Sequence, residues 1–564
     1  MNQTYLNVLL AIMRYVAPII TVVLLFRCIK PLLTFRREPE IWAFLCLSGG
    51  KKLPVTHWEN VIGRSKRSDI VLEVPTVSRT HGVLTRYDDG SWTIADHDSS
   101  GGILVNGKKI KHIRALQNED IISIGGVEMV LQPITKKQEQ KLAQIRTKAS
   151  GFITSLSNVL LLTVFQVLCA LAFLLGSKAE NLQSIMLGFG GIMFCQWALL
   201  LFYVCIRRTS FEVETIAFFL TTLGMAAIAT VAPGEAVKQL IALVMGIVVF
   251  LVVGWCLRDL ERAKVVRYLA GLAGVGFLFI TLLFGQEYYG AKNWLVIGPV
   301  SVQPSEFSKV CFVLVGASTM DRLVKKRNLF LFIGYSGLIC GCLALMNDFG
   351  TAMIFFVAFL VIAYLRSGNL GTVGLAITAL VFAAVLVLKI APHALRRFDS
   401  WRNIWNDPLD SGFQQTRALM CMASGGLLGL GAGQGYMKNI FAADSDVVIA
   451  TLCEEWGLLM VILMVFALVA LAMFSLRSAS MGRSSFYTIG ACTASAIMLM
   501  QAILNALGTV DVLPLTGVTF PFLSNGGSSM ICSWGLLAFI KAADTRQNAS
   551  FAVRLNKNGG GELE

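Results

Sequence analysis

The chain has 564 residues, 55% hydrophobic and only 15% charged, far fewer charges than a water-soluble protein of this length carries. Its net charge of +14 invites a nucleic-acid reading, but Lys and Arg sit mostly in short loops beside apolar blocks, the positive-inside pattern, so no nucleic-acid partner is expected. The thirteen cysteines lie mostly within apolar blocks, without paired CxxC motifs or a His cluster, and read as small buried hydrophobes rather than metal ligands.

The first apolar block, Tyr5–Phe26, has a long core and no small-residue cleavage site before Arg27 and Lys30, so residues 1–30 read as a retained anchor. A polar stretch, roughly 31–150, follows. Apolar blocks then recur near 152–177, 182–206, 211–232, 236–257, 265–285, 303–320, 328–346, 349–366, 371–391, 448–474, 485–508 and 524–541. At about twenty residues each, they predict about twelve spans after the insert and about thirteen in all. Basic clusters at Arg207-Arg208, Arg258-Arg262-Lys264, Arg322-Lys325-Lys326-Arg327, Arg366, Arg477-Arg483 and Lys541-Arg546 fall at every second turn of the chain. Assigning them to the cytoplasm places the polar insert and C-terminus inside, and the N-terminus and the long loop 392–447 outside. That loop holds Arg396, Arg397 and Arg402, but long loops obey the charge rule poorly.

Between about 57 and 133 the insert alternates in short strands, Ile70–Leu72, Gly82–Leu84, Ser91–Ile94, Ile121–Ile124 and Val127–Leu131, separated by turn residues such as Asp88-Asp89-Gly90 and Asn106-Gly107. This pattern predicts an all-β sandwich. Three loops, Gly63-Arg64, Ser78-Arg79-Thr80-His81 and Asp98-Ser99-Ser100-Gly101-Gly102 running into Val105-Asn106-Gly107, resemble those of the forkhead-associated (FHA) domain. A phosphate reader needs a guanidinium and short hydroxyl donors on converging loops. The resemblance assigns phosphopeptide binding to Arg64, Ser78, Arg79 and Ser100, and implies a phosphothreonine protein as cytoplasmic partner. His81 of such a motif is usually structural, and the family usually has Asn where this chain has Gly101.

Five stretches in the membrane region are too polar or too Gly-rich for plain spanning helices. They are Gly290–Leu295 with Gln303–Lys309; Asn347–Thr351; Gly412–Gln414 with Ser424–Gly429; Asp444–Asp446 with Glu454–Gly457; and Pro514–Gly517 with Phe520–Ser529. Pro304 suits a helix start. Glu306 and Lys309, three apart on one face, are either an ion pair or cavity-lining groups. Asp348 either caps a helix or faces the cavity. The Gly/Ser run ahead of the last span either packs or presents N–H groups to a phosphate. Together, from about 211 onward, these stretches resemble the motifs of the SEDS family (shape, elongation, division and sporulation), which includes FtsW, RodA and SpoVE. The chain departs from that pattern at Asn293 for Arg, Arg417 for Gln, Ser445 for Thr and Asn525 for Tyr.

The expected fold is therefore an all-α polytopic membrane protein, a SEDS core of about ten spans plus about three extra N-terminal spans, with an inserted all-β FHA sandwich. The expected division is an anchor at 1–30, the FHA domain at 50–135, two extra spans at 150–207, the SEDS domain at 208–545 and a cytoplasmic tail at 546–564. The first three spans lie outside the resemblance and read as additions to it. The resemblance implies a peptidoglycan glycosyltransferase that polymerises lipid II at the outer face of the cytoplasmic membrane, in division, elongation or sporulation, beside a class B penicillin-binding transpeptidase. The attacking sugar hydroxyl needs a general base, and Asp446 aligns with the family's proposed catalytic Asp. The expected substrate cavity holds Glu306, Lys309, Asp348, Lys238, Arg417 and Ser524. The departing diphosphate needs positive charge, from Lys309, Lys238, Arg396, Arg402, Arg417 or a divalent cation (Mg or Mn). The alternatives are a lipid II flippase and a catalytically inactive phospho-signalling scaffold.

Overall fold

The computed structural model describes residues 3–34, 41–138, 151–317, 326–381, 401–479 and 484–551, less scattered positions at 67, 88–89, 118, 136–137, 177–178, 259, 289–290, 299, 368–369, 372, 380, 411 and 547–548. Most of the expected span 371–391, together with Asp88-Asp89, Gly290, Arg322, Lys325, Arg396, Arg397, Arg483 and most of the tail, lies outside the described residues.

Helix α1 (Gln3–Leu33) leads into the sandwich, whose strands are β1 (Ala43–Leu47), β2 (Lys52–Val55), β3 (Glu59–Gly63), β4 (Ile70–Val71), β5 (Gly82–Arg86), β6 (Trp92–Asp96), β7 (Ile103–Val105), β8 (Lys108–Lys109), β9 (Ile113–Leu116), β10 (Ile121–Ile124) and β11 (Val127–Pro133). They form one sheet in the order β2-β1-β11-β10-β7-β8 and another in the order β4-β3-β5-β6-β9. Among the described residues of the sandwich, β3 and β4 pair in parallel and the other paired strands run antiparallel. The sandwich starts before residue 50: β1 sits inside the first sheet, pairing β11 from Ala43↔Pro133 to Leu47↔Met129. The sequence hides this hairpin because Ala43–Leu47 is a continuous apolar run just after the anchor, and Pro54 argues against a strand. Pro54 is tolerated because β2 is the sheet edge, where a missing N–H faces no partner.

The membrane helices are α2 (Phe152–Gly176), α3 (Ala179–Cys205), α4 (Glu212–Val231), α5 (Ala236–Leu257), α6 (Leu260–Phe284), α7 (Pro304–Gly316), α8 (Lys326–Leu345), α9 (Phe349–Ser367), α10 (Phe413–Gly425), α11 (Val448–Ala479), α12 (Ser485–Thr509) and α13 (Gly527–Ala542). Among the described residues ten helices are long and apolar enough to cross a membrane: α1 to α6, α8, α9, α11 and α12. Two expected spans are shorter. Helix α7 starts with Pro304 at its first position and ends at Gly316. Helix α13 begins only at Gly527, after an irregular stretch in which Phe520, Phe522, Leu523 and Ser524 are buried. Irregular backbone at membrane depth is tolerated where protein, not lipid, surrounds it. Between α6 and α7 a meander of β12 (Gln286–Tyr288), β13 (Ala291–Ile297) and β14 (Val300–Val302) replaces the expected loop.

The three N-terminal spans are not peripheral additions. With α5 and α11 they enclose α4, which is buried from Glu212 to Ala229. Gln166 of α2 donates to Gln196 of α3 and to Thr222 of α4, both at 3.1 Å, so polar side chains join the three helices where water is absent. Phe165 of α2 packs on Phe219 of α4 and Trp456 of α11. Lys541 at the end of α13 pairs with the buried Glu214 at 3.1 Å, and Arg546 with Asp544 at 2.7 Å and Glu212 at 3.5 Å.

The sandwich docks on the end of the bundle that carries the basic loops. Oε2 of Glu59 accepts from the Ser484 and Ser485 hydroxyls, at 2.7 and 2.9 Å, where α12 begins. The ring of Trp58 meets Tyr487 edge-on, and Lys264 lies 4.9 Å above the Tyr87 ring. Tyr487 in turn donates to Leu257 O at 2.8 Å, joining α12 to the end of α5.

Candidate functional site

At the opposite end of α11, the fourth motif breaks its own helix. Gly457 has φ 85° and ψ 163° inside α11, backbone that only glycine adopts without strain. The break frees the carbonyls of Glu454 and Glu455, which accept from Leu430 N (2.8 Å) and Gly431 N (3.0 Å), while Leu458 N and Leu459 N donate to Gly426 O (2.9 Å) and Leu427 O (3.2 Å). Residues 426–431 thus pair backbone to backbone with residues 454–459. The buried carboxylates finish the joint. Glu454 accepts from Tyr436 N and Met437 N, both at 2.9 Å, and Glu455 from Thr230 Oγ1 (2.7 Å) and Gly435 N (3.3 Å). Both acids hold loop 430–437, and Glu455 also ties it to α4 through Thr230.

Other motif acids are also spent internally. Glu306 and Lys309, 4% and 1% exposed, close on each other at 2.6 Å within α7. Asp348 caps α9 through Thr351 N (3.1 Å) and accepts from Asn293 Nδ2 (3.2 Å) and Gln303 Nε2 (3.5 Å). Asn293 on β13, which stands for the family's Arg, therefore fixes this acid with a neutral donor. Asp444 is buried and accepts from Asn525 Nδ2 at 2.8 Å. Burial pushes its carboxyl above the usual range, and that amide only partly offsets it.

Asp446 differs from these acids in being half-buried. Its carboxylate lies against Gly517, where a Cβ would stand 3.6 Å from Oδ2. Ser524 lies next to it but is buried, accepting from Phe520 N (2.8 Å) and donating to Ser445 O (2.7 Å). It braces the turn and lines no open surface. Asn505 of α12, which no motif picked out, donates to Asp446 O at 2.9 Å. The sequence signal for it was an amide in an apolar span, where a polar group needs a partner.

The cations divide by exposure. Lys238 is exposed at the start of α5 and pairs with Glu235 at 2.7 Å. Arg417 on α10 is half-buried, its guanidinium 5.3 Å from the Phe413 ring centre. Arg402 is exposed and lies over the Trp401 ring at 5.1 Å. These three are accessible at the site's end of the bundle, whereas Lys309 is locked to Glu306. Among the described residues no cluster of three His, Cys, Asp or Glu side chains is arranged to hold a metal ion.

In the sandwich the three predicted loops converge. Arg64 N donates to Ser78 O (3.0 Å), Ser65 N to Arg79 O (3.1 Å) and Ser100 N to Ser78 Oγ (3.2 Å). His81 is fully buried, accepting from Ser78 N on Nδ1 (3.0 Å) with Nε2 3.1 Å from Gly102 O, which is a structural role. The side chains of Arg64, Arg79 and Ser100 are exposed, and Ser78 is half-buried between them. The docked edge, built from Trp58, Glu59 and Tyr87, is a different part of the sandwich.

This is a multi-pass helical membrane protein with an inserted β sandwich. A family model described as a cell cycle protein, covering FtsW, RodA and SpoVE, matches residues 216–549, and a model of the FHA domain matches 60–125. The chain belongs to the FtsW/RodA/SpoVE family and carries an FHA domain. The peptidoglycan glycosyltransferase RodA of Mycobacterium tuberculosis is 30% identical over 327 residues, 54% of this chain and 69% of that protein. A probable peptidoglycan glycosyltransferase FtsW of Nitrosococcus halophilus is 34% identical over 288 residues, 48% of this chain and 73% of its own length. A chain from a solved peptidoglycan synthase complex aligns with TM-score 0.49 and 23% identity, over 59% of this chain and 96% of that one.

Proposed function

We propose that this protein is a peptidoglycan glycosyltransferase that joins lipid II units at the outer membrane face, with Asp446 as general base. The 4-hydroxyl of one sugar attacks the anomeric carbon of the other. The new C–O bond forms as the bond to the polyprenyl diphosphate breaks, and the hydroxyl proton passes to the Asp446 carboxylate. The observation that carries this reading is the contrast in exposure. Glu306, Asp348, Asp444, Glu454 and Glu455 are all buried, whereas Asp446 is half-buried. Charge for the leaving diphosphate comes from Lys238, Arg402 and Arg417, and a divalent cation would supply the same electrostatic stabilisation.

The site lies at the far end of α11 from the docked sandwich. The unbroken helix after Gly457, about 22 residues to Ala479, alone separates the two by roughly 33 Å. Placing the basic loops and the sandwich in the cytoplasm sets Asp446 outside, where an assembled lipid II disaccharide is presented. There a class B penicillin-binding transpeptidase would crosslink the product. On the inner side the FHA loops recruit a phosphothreonine protein. Purified protein given lipid II is expected to make glycan polymer, and Asp446→Asn none, with an unchanged thermal melt. Polymer from Asp446→Asn at the wild-type rate would remove Asp446 from the chemistry. Translocation of lipid II without polymer would favour a flippase, and neither activity would favour a phospho-signalling scaffold.

A further inference from the structure

We propose that Asn505, together with Asn525, is a positioning residue that aims the Asp446 carboxylate; this rests on Asp446 being the base. Asn505 sits within α12 and is 2% exposed. Its Nδ2 lies 2.9 Å from Asp446 O, 3.4 Å from Ser445 O and 2.8 Å from Val518 O. Three carbonyl oxygens around one nitrogen require a donor there, which settles the orientation of the amide. Its Oδ1 is buried without a hydrogen-bond partner among the described residues. A buried amide left half unsatisfied would be an expensive choice for simple packing.

The neighbouring residues are held as well. Ser445 O also takes the Ser524 hydroxyl at 2.7 Å. Asp444 is bound twice by Asn525, whose backbone N reaches Asp444 O and whose Nδ2 reaches Asp444 Oδ2, both at 2.8 Å. Each carbonyl from 444 to 446 therefore has a donor from α12 or from the turn before α13. The peptide of Asp446 cannot rotate without breaking one of these bonds. Because the same Asn505 amide also holds Val518 O, it ties the base to the Gly517–Val518 wall that its carboxylate faces. Asn525, which departs from the family's Tyr, is here a matched partner for Asp444.

A base works only when its oxygen is held within hydrogen-bond reach of the proton, and a displacement of about 1 Å costs on the order of 100-fold in rate. Since Asn505 and Asn525 bond to backbone and to Asp444 rather than to substrate, their loss is expected to lower kcat and leave KM for lipid II near its wild-type value. Asn505→Ala is expected to cut kcat by about 100-fold at unchanged KM, with a thermal melt that confirms folding. Asn525→Asp sets a second carboxylate against the buried Asp444 and is expected to lower kcat likewise. Combining it with Asp444→Asn reverses the hydrogen bond and is expected to restore turnover, a rescue that decides the matter even where Asn505→Ala fails to fold. Wild-type kcat in a folded Asn505→Ala or in Asn525→Asp, alongside an inactive Asp446→Asn, overturns the positioning role alone. A KM rise at constant kcat would make these residues substrate contacts and overturn it too. Full activity in Asp446→Asn would instead overturn the base assignment, and the proposal with it.

Discussion

Removing Glu306 alone strands the Lys309 ammonium inside the membrane bundle. The two groups are 2.6 Å apart and 5% and 1% exposed at the side chain, so water cannot replace the lost partner. Breaking a buried pair from one side costs about 3–5 kcal/mol, so Glu306→Ala is expected to lower the folding equilibrium by at least about 100-fold. Exchanging the residues, Glu306→Lys with Lys309→Glu, re-forms the pair but places a cation in the first turn of α7, where Glu306 now complements the helix dipole. That reversal costs about 0.3–1 kcal/mol, so the exchange should recover most of the loss. The assay is thermal unfolding of the purified protein in detergent, with polymer formation from lipid II measured on the same samples. An exchanged protein as unstable as Glu306→Ala would refute the pairing argument. Restored stability together with restored polymerisation means the pair is structural, and restored stability with lost polymerisation means one of the two also contacts substrate.

Gly457→Ala forces a side chain onto φ 85° and puts its Cβ 2.3 Å from Leu427 O; strain and clash together should cost about 3 kcal/mol or more, and an unchanged melt would show that the helix break is dispensable. Arg64→Ala removes the exposed guanidinium of the converging loops, and the full-length protein is expected to lose affinity for a phosphothreonine peptide while making glycan at its normal rate. Equal binding of phosphorylated and unphosphorylated peptides by the wild type would mean that the sandwich with Gly101 has kept its shape without its reading function. For Asp444 the folded carboxyl is raised by burial, so its favourable contribution is present below the unfolded value of about 3.9 and is lost as pH rises through the folded value. Asp444→Asn keeps an acceptor for Asn525 and is expected to raise the melting temperature at neutral pH but not near pH 4; a lower melting temperature at neutral pH would contradict that sign.

Local pattern carried much of this protein. Span length, the alternation of basic loops and the spacing of the motif residues are all properties of short stretches, and burial of apolar side chains in lipid enforces them wherever they occur. That Glu306 and Lys309 share one helix face was legible for the same reason, since residues three apart lie side by side, but their closing on each other rather than on a cavity was decided by the structure. Convergence of the Arg64, Ser78 and Ser100 loops followed from their resemblance to a known domain rather than from pattern. The β1–β2 hairpin was hidden, because an apolar run beside an anchor reads the same whether lipid or a second sheet covers it. The fate of each carboxylate was not in the pattern either. Glu454, Glu455, Asp348 and Asp446 all stand in polar motifs, and only packing shows that the first three are buried and held by backbone amides and side-chain donors while Asp446 is half-buried. Asn505 and Asn525 gain their meaning from a carbonyl and a carboxylate 59 and 81 residues away. The enclosure of α4 by the N-terminal spans is of the same kind. Whether a polar group is spent or accessible depends on which distant segments reach it, and that is decided when the helices assemble.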